Sequence, residues 1–235
     1  MLSLRPEPAL LCCAGQVPYR VSLQWQMELV QQRLGNPDLP DVLLLLEHPP
    51  VYTLGRSASP AHCRSLPLPF PVHTIGRGGE VTHHCPGQIV GYPILNLQRH
   101  QPDLHWYLRR LEQVLIDVLG SYGIRADRKP GLTGVWVNNT KVAAIGIQVK
   151  RWITCHGFAL NVCPDLTGFE AIVPCGIADY PVGSLAHFKP GLSRDAVQER
   201  ILEYFGQRFK LQFQPQTYFE LGCSEFNSEV GGRMF

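Results

Sequence analysis

The sequence lacks any apolar run of the length that a membrane-spanning helix needs, about 20 residues. The apolar stretch Val42 to Leu46 is short, lies between two acidic residues and is typical of a buried strand. The first dozen residues do not form the apolar core of a signal peptide, because Pro6, Glu7 and Pro8 interrupt them. We therefore expect a cytoplasmic protein that is not bound to a membrane.

The sequence also has little charge of either sign. Charged residues make up 17% of the chain and the formal net charge is +2, which argues against a nucleic-acid-binding protein. There are eight cysteines but no C-x-x-C pair, so reduced thiols are expected rather than disulfide staples or zinc fingers. The phosphate-binding pattern G-x-x-x-x-G-K-[ST] is missing as well. With 45% hydrophobic residues, the chain is typical of a globular protein.

The spacing of apolar residues predicts both helices and strands. Helices are predicted over residues 21–34, from about Asp103 to Leu119, and from Ser193 onward. Strands are predicted at Val42–Leu46, Val51–Leu54, Val72–Ile75, Ile89–Leu97, Gly134–Val137, Lys141–Val149 and Thr154–Val162. Strands in hairpin-like groups between separated helices indicate an α+β (mixed α/β) fold. We expect a single domain over residues 1–235, with a mostly antiparallel or mixed sheet flanked by helices.

A glycine-rich segment, Arg77 to Gln88, is the first candidate for a binding site. Its paired glycines let the backbone approach a ligand closely, and its arginine, threonine and histidines offer hydrogen-bond donors and a proton carrier. A glycine-rich hairpin is common, however, so the segment alone gives weak support. His83, His84 and Cys85 are of metal-ligating types, but adjacent side chains diverge and no second pair follows at finger-like spacing. No metal site is predicted.

Two further segments contain residues suited to nucleophilic or proton-transfer chemistry. Lys141 opens an apolar strand, where it either points to solvent, as most lysines do, or faces a cleft and shuttles a proton. Cys175 lies between a proline and a glycine, on a turn that would present its thiol to a pocket, although a packed and inert thiol is the commoner case. Cys155 beside His156 is a rival nucleophile, but neighbours in a strand face opposite sides.

Taken in order, these segments resemble the lipoyl(octanoyl) transferase family. The family patterns and their matches are R-G-G-x-V-T-Y-H-G-P-G-Q at Arg77–Gln88, K-x-x-x-I-G at Lys141–Gly146, H-G-x-x-L-N at His156–Asn161, and D-L-x-x-F-x-x-I-x-P-C-G at Asp165–Gly176. The chain departs from the first pattern twice, with His83 in place of tyrosine and Cys85 in place of glycine. The resemblance covers roughly residues 15–210.

The resemblance implies the fold of biotin and lipoate protein ligases and an acyltransferase activity. Such an enzyme moves an octanoyl group from octanoyl-acyl carrier protein to a lysine of a lipoyl domain, in 2-oxoacid dehydrogenase E2 subunits and glycine cleavage H protein. Cys175 would be the nucleophile that forms an acyl-enzyme, and Lys141 its acid–base partner. The residues implied to bind substrate are Arg77, Gly78, Gly79, Glu80, Val81, Thr82, His83, His84, Ala144, Ile145, Gly146, Gly157, Phe158 and Ala159. Neither ATP nor a metal ion, nucleic acid or membrane is expected to take part.

Other functions are open at this point. The nearest alternative is an ATP-dependent lipoate or biotin ligase of the same fold, which activates a free acid and needs no nucleophilic cysteine. The presence of Cys175 and the lack of a Gly-Arg-Gly-x-x-Gly loop favour the transferase. A non-catalytic binding protein is disfavoured because Cys175 and Lys141 are both present. A cysteine hydrolase is the least favoured, because it would have to admit water rather than an amine.

Overall fold

The computed structural model describes residues 6–225. Residues 1–5 and 226–235 of the predicted domain lie outside this range. Residues 1–5 are also part of the stretch whose composition argues against a signal peptide. The strands within it are β1 (Glu7–Gln16), β2 (Asp41–Glu47), β3 (Val51–Leu54), β4 (Val72–Thr74), β5 (Val81–His84), β6 (Gln88–Ile94), β7 (Asp127–Lys129), β8 (Leu132–Val137), β9 (Thr140–Lys150), β10 (Ile153–Asn161) and β11 (Leu211–Pro215). The helices are α1 (Tyr19–Gly35), α2 (Leu104–Ser121), α3 (Leu185–Phe188) and α4 (Arg194–Phe209). None of these helices combines the length and apolar character that crossing a bilayer requires.

Two sheets form the framework. Eight strands pair in the order β11-β1-β2-β6-β10-β9-β8-β7, and a small sheet pairs in the order β4-β3-β5. In the large sheet β1 runs parallel to β11 and β2, while the other neighbours are antiparallel. The predicted mixed, mostly antiparallel sheet flanked by helices is therefore confirmed.

Helices cover both faces of the large sheet, and alternation along β2 shows how. Leu43 and Leu45 belong to the apolar core beneath α2 and α4, whereas Val42 and Leu44 belong to the core beneath α1. Successive side chains of a strand point to opposite faces, so a continuous apolar run is what a strand buried on both faces requires. The predicted helices and the strand over residues 42–46 are confirmed on this basis.

The turn between β8 and β9 and the end of β6 follow from their local sequences. Asn138 and Asn139 join β8 to β9 with positive φ values of 46° and 67°, which a two-residue hairpin turn of the mirror-image type needs. The strands predicted over residues 134–137 and 141–149 are confirmed and form a hairpin. The strand predicted over residues 89–97 is too long, because β6 ends at Ile94 and a 3-10 turn begins at Leu97. The Asn96 side chain accepts a hydrogen bond from the Gln98 amide and starts that turn.

Candidate active site

A cavity of about 340 Å³ lies between the large sheet and the glycine-rich segment beside the small sheet. Small-molecule sites have volumes of about 300–1,000 Å³, so this cavity can hold a small ligand or an acyl chain. Its floor is formed by β6, β9 and β10. Residues 77–84 cover it, and the 3-10 turn Pro174–Gly176 closes one side.

Most of the side chains predicted to bind or react surround this cavity. Those that line it are Arg77, Gly78, Gly79, Glu80, Thr82, His84, Lys141, Ala144, Ile145, Gly146, Gly157, Phe158, Ala159 and Cys175. Val81 and His83 do not, because alternate residues of β5 face away from it. Val81 joins a small core with Phe169, and His83 packs on Phe169 and lines a minor adjoining cavity of about 10 Å³. Substrate binding by Val81 and His83 stays a prediction.

Cys175 is held in an unusual backbone conformation. Its φ of 58° and ψ of 17° are left-handed, a region that costs free energy for residues with a side chain and is concentrated at functional sites. The turn is fixed by hydrogen bonds from the Val173 amide to the His62 carbonyl (2.7 Å) and from the Gly176 amide to the Val173 carbonyl (3.0 Å). The Cys175 side chain is therefore presented to the cavity by a turn that cannot easily relax.

Cys85 and Cys155, the latter a rival nucleophile by sequence, are buried and do not line the cavity. Burial raises the pKa of both Cys85 and Cys155 to about 12. The Cys85 thiol lies 3.4 Å from the Asp165 carbonyl oxygen, and the Cys155 thiol lies 3.4 Å from Oε1 of Gln26. A thiol with so high a pKa is a poor nucleophile, so Cys155 behaves as a packed side chain.

Lys141 enters the cavity from the second residue of strand β9 and is only 6% exposed. The pairing of β8 with β9 shifts register next to it, at the step from Val135 to Trp136. Its Nζ lies 5.3 Å from the centroid of the Trp136 ring, a cation–π distance. Within residues 6–225 no carboxylate lies within ion-pair distance of this ammonium group. No carboxylate of the described residues therefore competes with a ligand for this group.

Arg77 and three glycines bring the covering segment against the floor. The Nη2 of Arg77 donates to the carbonyl oxygen and the hydroxyl of Thr53, both at 2.8 Å, and the Gly78 amide donates to the Ile147 carbonyl at 2.9 Å. A Cβ at Gly146 would lie 2.9 Å from Cδ of Arg77, and one at Gly157 would lie 2.2 Å from a backbone oxygen of β6. Burial lowers the pKa of the Arg77 guanidinium. Glycine is required at these two floor positions for steric reasons.

A carboxylate and an imidazole pair behind the Cys175 turn. Oε2 of Glu80 lies 3.0 Å from Nδ1 of His62 and accepts a hydrogen bond from the Ser59 amide at 3.0 Å. A Cβ at Gly176 would lie 3.0 Å from Cγ of Glu80 and 3.1 Å from Cε1 of His62, so this pair packs directly on the turn. Burial acts to raise the pKa of Glu80, but the adjacent His62 ring and the hydrogen bond from the Ser59 amide outweigh it and hold this pKa below its usual value.

Four polar side chains that line the cavity were not predicted as site residues, although one of them belongs to a sequence motif. Tyr19 comes from the start of α1, Tyr92 from β6, and His156 from β10, while Thr133 follows the β7–β8 turn. Burial lowers the pKa of His156 to about 3, and the nearby Arg77 charge adds to the effect. His156 belongs to the H-G-x-x-L-N match, which was the one available signal. Tyr19 and Tyr92 carry no local pattern that identifies them.

The cavity contains no arrangement typical of a metal centre. Within the described range, no group of three or more His, Cys, Asp or Glu side chains is placed to hold a metal ion. His84 faces the main cavity, while His83 faces the opposite side of β5.

Comparisons with known proteins agree on one family. Residues 18–206 match the model of the lipoyl protein ligase A/B catalytic domain. The chain is 57% identical over 226 residues to the octanoyltransferase of Synechococcus elongatus, covering 95% of this chain and 97% of that protein. It is 58% identical over 205 residues to the octanoyltransferase of a Nostoc species, covering 86% and 93%.

Solved structures of low sequence identity share the fold. The crystal structure of lipoate-protein ligase A bound with ATP has a TM-score of 0.77 at 14% identity and covers 91% of this chain and 92% of its own. A bipartite lipoate protein ligase from Thermoplasma acidophilum has a TM-score of 0.74 at 15% identity, with 94% and 99% covered. The biotin protein ligase from Aquifex aeolicus in complex with biotin and ATP is less similar, with a TM-score of 0.52 at 15% identity and 86% and 70% covered. These likenesses confirm the predicted ligase-like fold.

Proposed function

The chain belongs to the family of lipoyl protein ligase A/B catalytic domains and is an acyltransferase that transfers octanoyl groups in protein lipoylation, and on this premise we propose that Cys175 and Lys141 perform the transfer. The observation that carries the proposal is that these two side chains, from separate elements, line the same cavity. The donor is octanoyl-acyl carrier protein. The acceptor is a lysine of a lipoyl domain, in 2-oxoacid dehydrogenase E2 subunits or glycine cleavage H protein.

The first half-reaction forms an acyl-enzyme. The Cys175 thiolate attacks the thioester carbonyl carbon, a new C–S bond forms, and the C–S bond to the carrier breaks. The carrier leaves as a thiolate and takes a proton from the Lys141 ammonium, which becomes neutral. Backbone amides of the glycine-rich segment are the candidates for stabilising the oxyanion that develops on the carbonyl oxygen.

The second half-reaction delivers the acyl group. The neutral amine of the acceptor lysine attacks the acyl-enzyme, an amide bond forms, and the Cys175 thiolate leaves. Neutral Lys141 accepts the proton that the attacking amine loses, which restores the starting thiolate–ammonium pair. In the described residues the buried Lys141 Nζ makes no ion pair and lies over the Trp136 ring, which supports its part in both proton transfers.

The floor of the cavity suits an alkyl chain. Ala144 of β9 and Ala159 of β10 line the cavity with small apolar side chains, and Val90 of β6 adds an apolar wall. Burying each methylene of the chain there is worth about 0.8 kcal/mol. A thioester donor is already activated, so the proposed chemistry requires neither ATP nor a metal ion.

The test is transfer from octanoyl-acyl carrier protein to a lipoyl domain without ATP. We expect transfer by the unaltered chain, none by Cys175→Ser, and full transfer by Cys163→Ser, which removes an exposed thiol that does not line the cavity. Full transfer by Cys175→Ser would overturn the role of Cys175. Transfer that appears only with free octanoate and ATP would identify a ligase instead.

A further inference from the structure

The reacting end of the cavity is the end at which Cys175 and Lys141 lie. Cys175 and Lys141 also line the minor adjoining cavity, together with Ala144 and Ala159. Ala144 and Ala159 are paired across β9 and β10. The reacting end therefore lies over this pair of alanines.

From the reacting end, the floor of the cavity runs along β10 from Ala159 towards His156. Beyond Ala159, the pairs are Gly157 with Gly146 and His156 with Ile147. At about 3.4 Å per residue, the three steps from Ala159 to His156 span about 10 Å. An extended octanoyl chain, with carbon–carbon bonds of about 1.5 Å and a rise of about 1.3 Å per bond, spans about 9 Å from its first to its last carbon. The chain would end beside His156.

Tyr92 lies near this end of the floor, because it follows Gly91, the β6 partner of Phe158. The Tyr19 ring packs on His48, which is hydrogen-bonded to Tyr92. All three side chains line the cavity, and we refer to Tyr19, Tyr92 and His156 as the end wall. Each is at most 4% exposed. Nδ1 of His48 lies 2.7 Å from the Val17 carbonyl and must donate to it, so its Nε2 accepts from the Tyr92 hydroxyl at 2.7 Å. This hydrogen-bond pattern requires a neutral His48 ring. Burial lowers the pKa of His48 to about 4, which favours the neutral form.

The end wall is also fixed by ring packing. The Tyr19 ring stacks against His73 at 5.4 Å and against His84 at 6.1 Å between centroids. His84 is itself held by Gln88, whose Oε1 lies 3.1 Å from its Nδ1. Rings packed on several sides cannot move aside without breaking these contacts.

The end wall is polar where an acyl chain would end. Nδ1 of His156 is buried and has no hydrogen-bond partner among residues 6–225, and the Tyr92 hydroxyl is already engaged with His48. An extra methylene in an apolar pocket improves binding about fourfold. Against the end wall that gain is lost, because the added carbon meets fixed rings and polar atoms rather than free apolar space.

Building on the proposed octanoyl transfer, we propose that Tyr19, Tyr92 and His156 set the upper limit of acyl-chain length, so that decanoyl and longer groups are rejected. The three residues act as specificity-determining contacts at the end of the chain. They do not take part in the acyl-transfer chemistry.

The experiment compares octanoyl-, decanoyl- and dodecanoyl-acyl carrier protein as donors. Tyr19→Ala opens the end wall without removing the hydrogen-bond partner of His48. Tyr218→Ala is the matched control, because Tyr218 packs on Trp25 of α1 and does not line the cavity. We expect Tyr19→Ala to raise the dodecanoyl-to-octanoyl ratio of kcat/KM at least tenfold, of the order seen for discrimination by methylene groups, and Tyr218→Ala to leave it unchanged.

Each other outcome is informative. If Tyr19→Ala does not fold, Tyr19→Leu replaces it and should raise the decanoyl-to-octanoyl ratio. An unchanged ratio in a folded Tyr19 variant would overturn the role of the end wall. Equal kcat/KM for all three donors with the unaltered chain would also overturn the role of the end wall, but it would leave the proposed octanoyl transfer intact. Failure of the folded, unaltered chain to transfer octanoyl at all would instead overturn the proposed function, and this inference with it.

Discussion

Replacing His83 with phenylalanine should flatten the acid dependence of stability. His83 is 2% exposed, and its ring lies 5.4 Å from that of Phe70 and 5.3 Å from that of Phe169. Its Nδ1 has no hydrogen-bond partner in the described residues. Burial lowers the pKa of this imidazole from 6.5 to about 4. The folded protein thus holds His83 neutral at a pH where the unfolded chain protonates it.

The sign and size of the effect follow from proton linkage. Above pH 6.5 both states carry a neutral ring and His83 adds no pH dependence. As the pH falls from 6.5 to about 4 the unfolded state binds a proton that the folded state does not, so stability is lost. A pKa difference of this size corresponds to about 3 kcal/mol. His48 and His156 act in the same direction but are unchanged by the substitution.

The assay is urea unfolding at a series of pH values in this window. We expect His83→Phe to match or exceed the stability of the unaltered chain at neutral pH, because it removes a buried Nδ1 that has no hydrogen-bond partner in the described residues and leaves an apolar ring of similar size. Its advantage should grow by up to about 3 kcal/mol as the pH approaches 4. His105→Gln, at an exposed position on α2, should follow the unaltered chain. Parallel stability curves for His83→Phe and the unaltered chain would refute the reasoning.

Three further substitutions test separate parts of the structure. Lys141→Met keeps the length of the side chain but removes the proton carrier, so steady-state transfer should fall by about a thousandfold while the melting temperature is retained. Glu80→Gln removes the charge that pairs with His62 behind the Cys175 turn, and stopped-flow acylation should slow by about tenfold, or about 1.4 kcal/mol of activation free energy. Asp103→Ala removes the side-chain oxygen that caps α2, so urea unfolding should show a loss of about 1 kcal/mol with transfer unchanged.

Different results would contradict each of these expectations. Turnover by Lys141→Met close to that of the unaltered chain would mean that another group, or water, carries the proton. Unchanged acylation by Glu80→Gln, with His62→Ala as a second variant, would show that the pair does not hold the turn. Loss of transfer by Asp103→Ala, at a temperature where this variant is folded, would show that α2 affects the site by more than its helix cap.

Local patterns were enough to predict much of the fold. The apolar stripe of α2 and its cap at Asp103, which accepts from two amides of the first turn, are local features and were predicted within two residues. β5 was missed because it lies in a glycine-rich segment that is typical of a loop. β1 was missed because it begins at Glu7 and Pro8, residues unfavourable in strands, and β11 was missed because it pairs only with β1, at the other end of the described chain.

Only those parts of the candidate site that have a local sequence pattern could be predicted. The segments that contain Arg77, Lys141 and Cys175 have sequence patterns, and the structure brings all three to one cavity. Tyr19 and Tyr92 could not be predicted, because their position depends on how α1 packs on β6. His83 was grouped with His84, but alternation along a four-residue strand that was not predicted turns the two rings to opposite sides.

The most direct test of the account is the intact mass of the protein after mixing with octanoyl-acyl carrier protein in the absence of ATP, followed by addition of a lipoyl domain. We expect a single octanoyl adduct that maps to Cys175, is absent from Cys175→Ser, and disappears as the lipoyl domain gains the same mass. An octanoylated lipoyl domain without any adduct on the enzyme, or an adduct on another cysteine that discharges at the same rate, would contradict it.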